Sequence, residues 1–379
     1  MNFSLAMKTG FTMAAVWFAT HCGGGFATGN QEVNYFVKYG WYSLFLPIFS
    51  MFLVGWAHRN ALVIAKDYKT YNYRAYSDAL FHPYEKYFSF VFELGYILLF
   101  TFAVSSSIAG SGSLLQNAIG LPYYIGIVLI GALLVVLTIA GGEAVIKALS
   151  FKSYFLIVTL SLVCIMGLYT GMDNLTQIVS VQMTFNHSFG EALWDSVIYV
   201  GFQTFTVMPI ISLAQNVKST KDCNWFMVFG TLLNGFFLLL VCIMLLAFAP
   251  ATLGTTLPVY FVSEQLNVNW LQALYSVILL IALFGTGVSL IFSAVARFEP
   301  VLTSKNILSS VKMRRAAISV IILIICTGIS VFGLTNIVVK GYGMLGYVGI
   351  IFVLIPQLVV GTIKIRNNER KRKEQGVVE

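Results

Sequence analysis

The chain has 379 residues, of which 58% are hydrophobic and only 10% charged, and its mean hydropathy is +0.83. Water-soluble domains carry about 25% charged residues, so a soluble fold is excluded, and the apolar runs far exceed the roughly 9–11 residues of a barrel strand. The net charge of +8 comes from basic residues between apolar runs and in the tail, a pattern of membrane orientation and not of nucleic-acid binding. Composition thus predicts an all-α integral membrane protein, a single transmembrane domain over 1–379 with the lipid bilayer as its partner and no nucleic acid.

The first apolar segment, about 9–37, is interrupted by Thr20-His21-Cys22-Gly23-Gly24-Gly25-Phe26-Ala27-Thr28-Gly29-Asn30-Gln31-Glu32. Each glycine weakens a helix by roughly 1 kcal/mol relative to alanine. A helix broken inside lipid also leaves N–H and C=O groups that only protein, water or ligand can satisfy. The pattern predicts a functional break beside which something polar binds. Close helix packing is the alternative, but packing glycines recur at four-residue spacing on one face, whereas Gly23, Gly24 and Gly25 point all round. Lys8 and the apolar run before Cys22 superficially resemble a signal or lipoprotein peptide. His21 is too bulky for the position before such a cysteine, so the segment is expected to remain uncleaved.

Nine further segments follow, each near the ~20 residues that a spanning helix needs: about 41–64, 83–112, 122–141, 147–171, 190–214, 222–249, 268–298, 313–336 and 341–363. A polar, tyrosine-rich loop separates the second from the third. A short amphipathic helix is predicted at 257–266, with Pro258 suited to its first turn. With both termini on one face, that face holds all of the 23 Lys and Arg except Lys38 and Lys340, which predicts cytoplasmic termini. Trp41, Trp194 and Trp270 then fall at outer ends and Trp56 and Trp225 at inner ends, as an interfacial belt requires.

The sixth segment is interrupted as well, at Tyr199-Val200-Gly201-Phe202-Gln203-Thr204-Phe205-Thr206-Val207-Met208-Pro209, since proline lacks an N–H and clashes with the preceding turn. It opens a second set of five segments. A five-helix half is odd-numbered, so the two halves lie inverted, and paired interruptions point to a transporter's binding site. The five cysteines (22, 164, 223, 242, 326) lack paired spacing and read as small core residues, with no disulfide framework and no metal pattern. Of the histidines (21, 58, 82, 187), His21 is the one read inside a spanning segment. There is no nucleophile–base pair, phosphate-cradling loop or metal spacing, so no catalytic or metal-binding residue and no resident cofactor is predicted; an enzyme is not expected.

Gly23-Gly24-Gly25-Phe26-Ala27-Thr28-Gly29 followed by Gln31-Glu32 matches a Gly-x-Gly-Phe-Ala-Ser/Thr-Gly…Gln-Glu motif, with Asn30 a one-residue departure. On these residues the chain resembles the LeuT-fold amino acid–polyamine–cation superfamily and, more closely, the YkvI-type membrane permeases of bacteria. The motif is specific around 23–36; hydropathy and helix order extend the likeness over nearly the whole chain. The resemblance implies ten helices as 5+5 inverted repeats with helices one and six interrupted. Repeat one would cover about 9–171, repeat two about 190–363 and a basic cytoplasmic tail 364–379, in the bacterial inner membrane. It implies a small-molecule substrate, usually an amino acid, held between helices one, three, six and eight. The substrate carboxylate would meet backbone near Ala27, Thr28 and Gly29, within a site of Gly23, Gly24, Gly25, Phe26, Ala27, Thr28 and Gly29. Its ammonium would face carbonyls and polar groups of segment six near Tyr199, Gln203 and Thr204, with Phe202 also in the substrate site.

Coupling to a proton or to bound Na+ has several candidates. Glu93 is either an intramembrane functional carboxylate or the partner of a basic loop residue. Ser105, Ser106 and Ser107 either line the cavity or bond their own helix. Glu32 is either a gate or proton carrier, or a capped helix end. Family sodium sites use adjacent hydroxyls on helix eight; Thr286, Ser289 and Ser293 are present but not adjacent. A lysine on helix five replaces sodium in some relatives, with Lys147 or Lys152 in that region, though Glu143–Lys147 also suits an ordinary surface pair. Secondary transport is the function these features favour. A solute-sensing receptor on the same scaffold is the alternative, and the oligomeric state stays open.

Overall fold

The computed structural model describes residues 3–140, 152–305, 307–308 and 310–375. The first segment comprises α1 (Phe3–His21), a single turn α2 (Gly24–Ala27) and α3 (Asn30–Tyr35), followed by a 3-10 stretch over Val37–Leu44. Then come α4 (Leu46–Tyr68), α5 (Tyr73–Phe81) in the loop, α6 (Glu85–Ile119), α7 (Tyr123–Ala140) and α8 (Lys152–Ser180). The second part holds α9 (Phe189–Gln203), α10 (Val207–Ile211), α11 (Thr220–Leu246), the short α12 (Pro258–Gln265), α13 (Asn269–Ser304) and α14 (Val311–Ser330). The chain ends in α15 (Leu334–Asn336), α16 (Gly343–Gly349) and α17 (Gly361–Glu374), joined by π-helical turns into one helical path. Among the described residues, eight helical runs are long and apolar enough to cross a membrane, and Tyr123–Thr138 is a shorter apolar helix.

Local sequence sets the helix ends. The Asn72 side chain accepts from Ala75 N at 2.9 Å to cap α5. Ser188 and Glu191 form a reciprocal capping box at the start of α9, as do Ser219 and Asp222 at α11, each satisfying N–H groups that no preceding turn reaches. The two interruptions differ in kind. In the first segment the chain leaves the helix, and Gly29 adopts a left-handed φ of 80°. In the sixth, every residue from Gln203 to Thr206 stays in the right-handed helical region, and the winding tightens to 3-10 at Thr204–Thr206. The expected second interruption is therefore a change of winding without a change of chain direction. Hydroxyls of Thr204 and Thr206 donate back to the carbonyls of Gly201 and Gln203, both at 2.6 Å, which absorbs the polarity near Pro209 within the helix.

The helices pack in two groups. In one, α11 packs on both α1 and α4, and α9 on α4. In the other, α6, α7, α13 and α14 enclose an apolar core that includes Val104, Ile130, Leu134, Val288 and Leu323. The broken stretch lies where these groups meet: α2 touches α6 and α13, while α3 touches α9 and α11. Apolar side chains such as Val128, Ile165 and Ile324 point outward, the arrangement expected where lipid replaces water. His58 is fully buried on α4, so His21 is not alone inside a spanning helix, as its position in the second segment should have signalled.

At one crossing, backbones meet directly. A Cβ on Gly201 of α9 would strike the carbonyl of Gly346 on α16, and one on Gly349 would strike the carbonyl of Gly201. Small residues let membrane helices approach this closely. Because the obstacle is backbone, Gly201→Val should cost about 1–3 kcal/mol of overpacking, read as a lowered thermal unfolding midpoint of the detergent-purified protein; an unchanged midpoint would contradict this crossing.

Candidate functional site

The break is built from backbone groups that find partners outside their own helix. The Gly29 N–H donates to Phe26 O at 3.1 Å, and Ala27 N–H to Gly23 O at 3.1 Å. The left-handed turn leaves the Thr28 carbonyl pointing away, and it accepts from Val259 N at 3.2 Å. Val259 follows Pro258 at the start of α12, where an N–H has no intrahelical acceptor, so two orphans satisfy one another. The Ala27 carbonyl accepts from the Tyr275 phenol of α13. A Cβ at Gly29 would lie 2.8 Å from Val259 Cγ2, so both the conformation and the contact exclude larger residues there.

Beside the break, His21 bridges α11 and α9. Its Nδ1 lies 2.8 Å from Asn234 Oδ1, and its Nε2 lies 2.8 Å from the Tyr199 hydroxyl. The Asn234 amide nitrogen donates to Gly230 O at 2.8 Å, so Oδ1 is the acceptor facing His21. For a neutral imidazole the proton then sits on Nδ1 and Tyr199 donates to Nε2. The Tyr199 ring packs on Phe36 and Phe202, each at 4.9 Å between centroids. This buried chain of three polar groups fixes α1 against both neighbours.

On the outer side, Asn30 donates to Thr256 O and to Thr335 Oγ1, each at 2.9 Å, and the Tyr35 hydroxyl donates to Val338 O at 2.9 Å. Lys38 pairs with Asp195 at 2.7 Å, and the Tyr39 hydroxyl donates to the same carboxylate at 2.6 Å. Burial and this carboxylate hold the Tyr39 phenol above its ordinary pKa. The outer half of the first segment is thereby tied to α9 and to the helical path after α15.

On the other side of the break lies a cavity of about 570 Å³. Thr20, Cys22 and Gly23 line it with Thr286, Ser289 and Ser293 of α13, with Phe205, Thr206 and Pro209, and with Tyr71, Asn72 and Tyr73 of the loop. Among the described residues, no Lys, Arg, Asp, Glu or His lines it. Its apolar surface comes from Tyr73, Tyr96, Leu99, Phe205 and Leu290. The hydroxyls of Thr286, Ser289 and Ser293 donate to Ala282, Gly285 and Ser289 carbonyls at 2.9, 2.7 and 3.0 Å.

The sequence candidates thus separate. Gly23 is brought together with Thr286, Ser289 and Ser293 at the cavity. Phe26, Ala27, Thr28 and Gly29 are buried above it, and Gly25 is half-buried. The N–H groups of Ala27 and Gly29, expected to meet a carboxylate, are engaged by carbonyls of the same stretch. Tyr199, Phe202, Gln203 and Thr204 are buried in α9 and the turn after it. Glu93 stands apart, bridged to Arg74 at 2.9 Å and to Arg297, whose guanidinium lies 4.9 Å from the Tyr73 ring centre. That cluster clasps the loop, α6 and α13 at the cavity's loop end. Of the serine run, Ser105 donates to Thr101 O and Ser106 to Ala103 O. Lys147 and Glu143 lie outside the described residues. Asn234 and Tyr275 are not among the residues that the sequence singles out. An asparagine in the middle of a largely apolar spanning segment was the available signal for the first; nothing marked the second.

No family model matches the chain. Over 127 residues, 33% of the chain, it is 30% identical to the uncharacterized membrane protein YkvI of Bacillus subtilis, a match that spans 36% of that protein. In backbone it is similar to MhsT in complex with L-phenylalanine, with a TM-score of 0.60 and 13% identity, covering 94% of this chain and 96% of that one. It is similar to the manganese transporter of Eremococcus coleocola, with a TM-score of 0.53 and 13% identity over 94% and 80% of the two chains. The inward-facing conformation of Mhp1 gives a TM-score of 0.50 and 12% identity over 98% and 95%. The chain is a multi-pass, all-helical membrane protein with the LeuT fold of these transporters, and it resembles YkvI over part of its length.

The His21 bridge supplies a test of the site's geometry. Tyr199→Phe leaves the Nε2 acceptor buried without a donor, and Asn234→Leu leaves the Nδ1 donor buried without an acceptor; each should cost about 1–3 kcal/mol. Unfolding midpoints of the two purified variants check this, and an unchanged midpoint in either would contradict the bridge.

Proposed function

We propose that this chain is a secondary transporter that moves a small polar solute, an amino acid, across the bacterial inner membrane by alternating access with proton or sodium coupling. Its helices form two inverted halves of five, with both termini and the basic tail in the cytoplasm. The observation that carries this is the asymmetry about the break in the first segment. Above it, Asn30, Tyr35 and Lys38 are tied to other helices; below it, a cavity runs from Cys22 and Gly23 to the loop at Tyr71–Tyr73. The basic residues of that loop mark its side as cytoplasmic under the positive-inside rule, so the arrangement corresponds to an inward-facing state.

The cavity's chemistry favours a zwitterion or neutral solute. Hard divalent cations need carboxylate or other oxygen ligands in numbers, and among the described residues no carboxylate lines this space. Aromatic and aliphatic walls suit an apolar side chain, while the hydroxyls of Thr286, Ser289 and Ser293 supply polar contacts for the rest of the solute. The L-phenylalanine bound by MhsT has this chemistry, and a manganese ion does not, although each of those ligands belongs to its own protein.

Thermal-shift measurements on the purified protein, with each standard L-amino acid and with Mn2+, test the assignment with and without Na+. One class of amino acid should raise the unfolding midpoint, and the same labelled compound should enter proteoliposomes. A shift with Mn2+ alone, or none with any amino acid, would overturn it, and binding without uptake would favour the sensor. Gly25→Leu should abolish the ligand shift and leave a folded protein, because a Cβ there meets only the Gln31 side-chain amide, at 3.1 Å. Retained binding in that variant would displace the substrate from the break.

A further inference from the structure

Glu32 is 0% exposed, and among the described residues neither carboxyl oxygen has a hydrogen-bond partner. It sits in the first turn of α3, immediately after the break. The titratable groups within its electrostatic reach are the thiols of Cys22, of Cys164 on α8 and of Cys242 on α11, and the phenols of Tyr199 on α9 and Tyr275 on α13. Both phenols are committed elsewhere, Tyr199 with His21 and Tyr275 to the Ala27 carbonyl. Thiols are weak donors. The cations on neighbouring stretches are also spoken for or distant: Lys38 pairs with Asp195, and Lys340 is exposed at the surface. His21 is occupied on both ring nitrogens.

An ionised carboxylate stripped of water with neither a donor nor a counter-ion is among the most expensive groups a protein can bury, and such groups neutralise instead. Among the described residues, no three His, Cys, Asp or Glu are grouped to hold a metal ion there. A proton needs no such cage and neutralises the carboxylate where it stands.

We propose that Glu32 is the proton-binding site of the transport cycle. Its carboxyl is the neutral acid in the arrangement seen here, in which it is buried. Cys22, within electrostatic reach of Glu32, also lines the cavity, which places the cavity on the Cys22 side of the carboxyl. On the cytoplasmic side the proton passes from the carboxyl oxygen to water entering the cavity, leaving a carboxylate. When the ties of Asn30, Tyr35 and Lys38 release α3, the carboxylate meets outer water and takes a proton back. One positive charge crosses per cycle. This deepens the transporter function proposed above and rests on it, but the proton-binding step can be tested separately.

Infrared difference spectra of the purified protein across a pH step provide that separate test. Wild type should hold the carbonyl band of a buried protonated carboxyl at neutral pH. The band should be missing in Glu32→Gln and displaced in Glu32→Asp. Identical spectra in wild type and Glu32→Gln would overturn the site; if Glu32→Gln does not fold, an undisplaced band in Glu32→Asp would do so. In proteoliposomes, an inward proton gradient should drive accumulation of one of the twenty standard L-amino acids by wild type. Glu32→Gln, which mimics the neutral acid, should lose that accumulation while keeping exchange of the same amino acid between the two sides. Undiminished gradient-driven accumulation in Glu32→Gln would overturn the coupling role. If wild type exchanges none of the amino acids, the transporter function fails instead, and the infrared result still decides whether Glu32 binds the proton.

Discussion

A backbone that leaves the helix inside a membrane must find hydrogen-bond partners there, and this requirement organises the molecule. At residues 22–29 the freed carbonyls of Ala27 and Thr28 are met by Tyr275 on α13 and by Val259 at the start of α12. Neither partner belongs to the helix that breaks. Helix one is therefore joined through its weakest point to both packing groups, and any motion between those groups must rearrange these bonds. Left unmade, each would cost several kcal/mol in hydrocarbon.

The two sides of the break are held by different chemistry. On the C-terminal side of the break, short bonds from Asn30, Tyr35, Lys38 and Tyr39 tie the chain to α9 and the final helical path. On the cavity side, the Glu93 cluster joins the loop, α6 and α13, and among the described residues the cavity wall carries no charge. Ion pairs near water are weak and readily exchanged, which suits ends that open and close. The centre instead uses His21, Asn234 and Tyr199, a buried and fully paired set that resists rearrangement. Placing the exchangeable contacts at the mouths and the rigid ones at the middle is a physical arrangement that alternating access can use.

Much of this is legible in the residues. The long apolar runs set the helices, and the glycine cluster marks the break. Pro209 suggests a second break because a missing N–H is visible in sequence. The hydroxyls of Thr204 and Thr206 repair the winding locally, and only their bonds in the structure reveal that role. Glu93 and Glu32 look alike as intramembrane carboxylates, and their environments are opposite. Glu93 lies beside Arg74 and Arg297; Glu32 has no hydrogen-bond partner among the described residues.

By itself, the sequence determined the membrane-embedded helical class, the position of the break, and the neutral hydroxyls of α13 that face it. These follow from local physics: helix length against bilayer thickness, the cost of glycine, and the spacing of side chains along one helix. Tertiary structure alone decided which carboxyl is paired and which is stranded, that Asn234 and Tyr275 serve the break, and that the cavity wall carries no charge. Those outcomes depend on residues up to 248 positions apart meeting in space, and no pattern within one segment encodes the far partner.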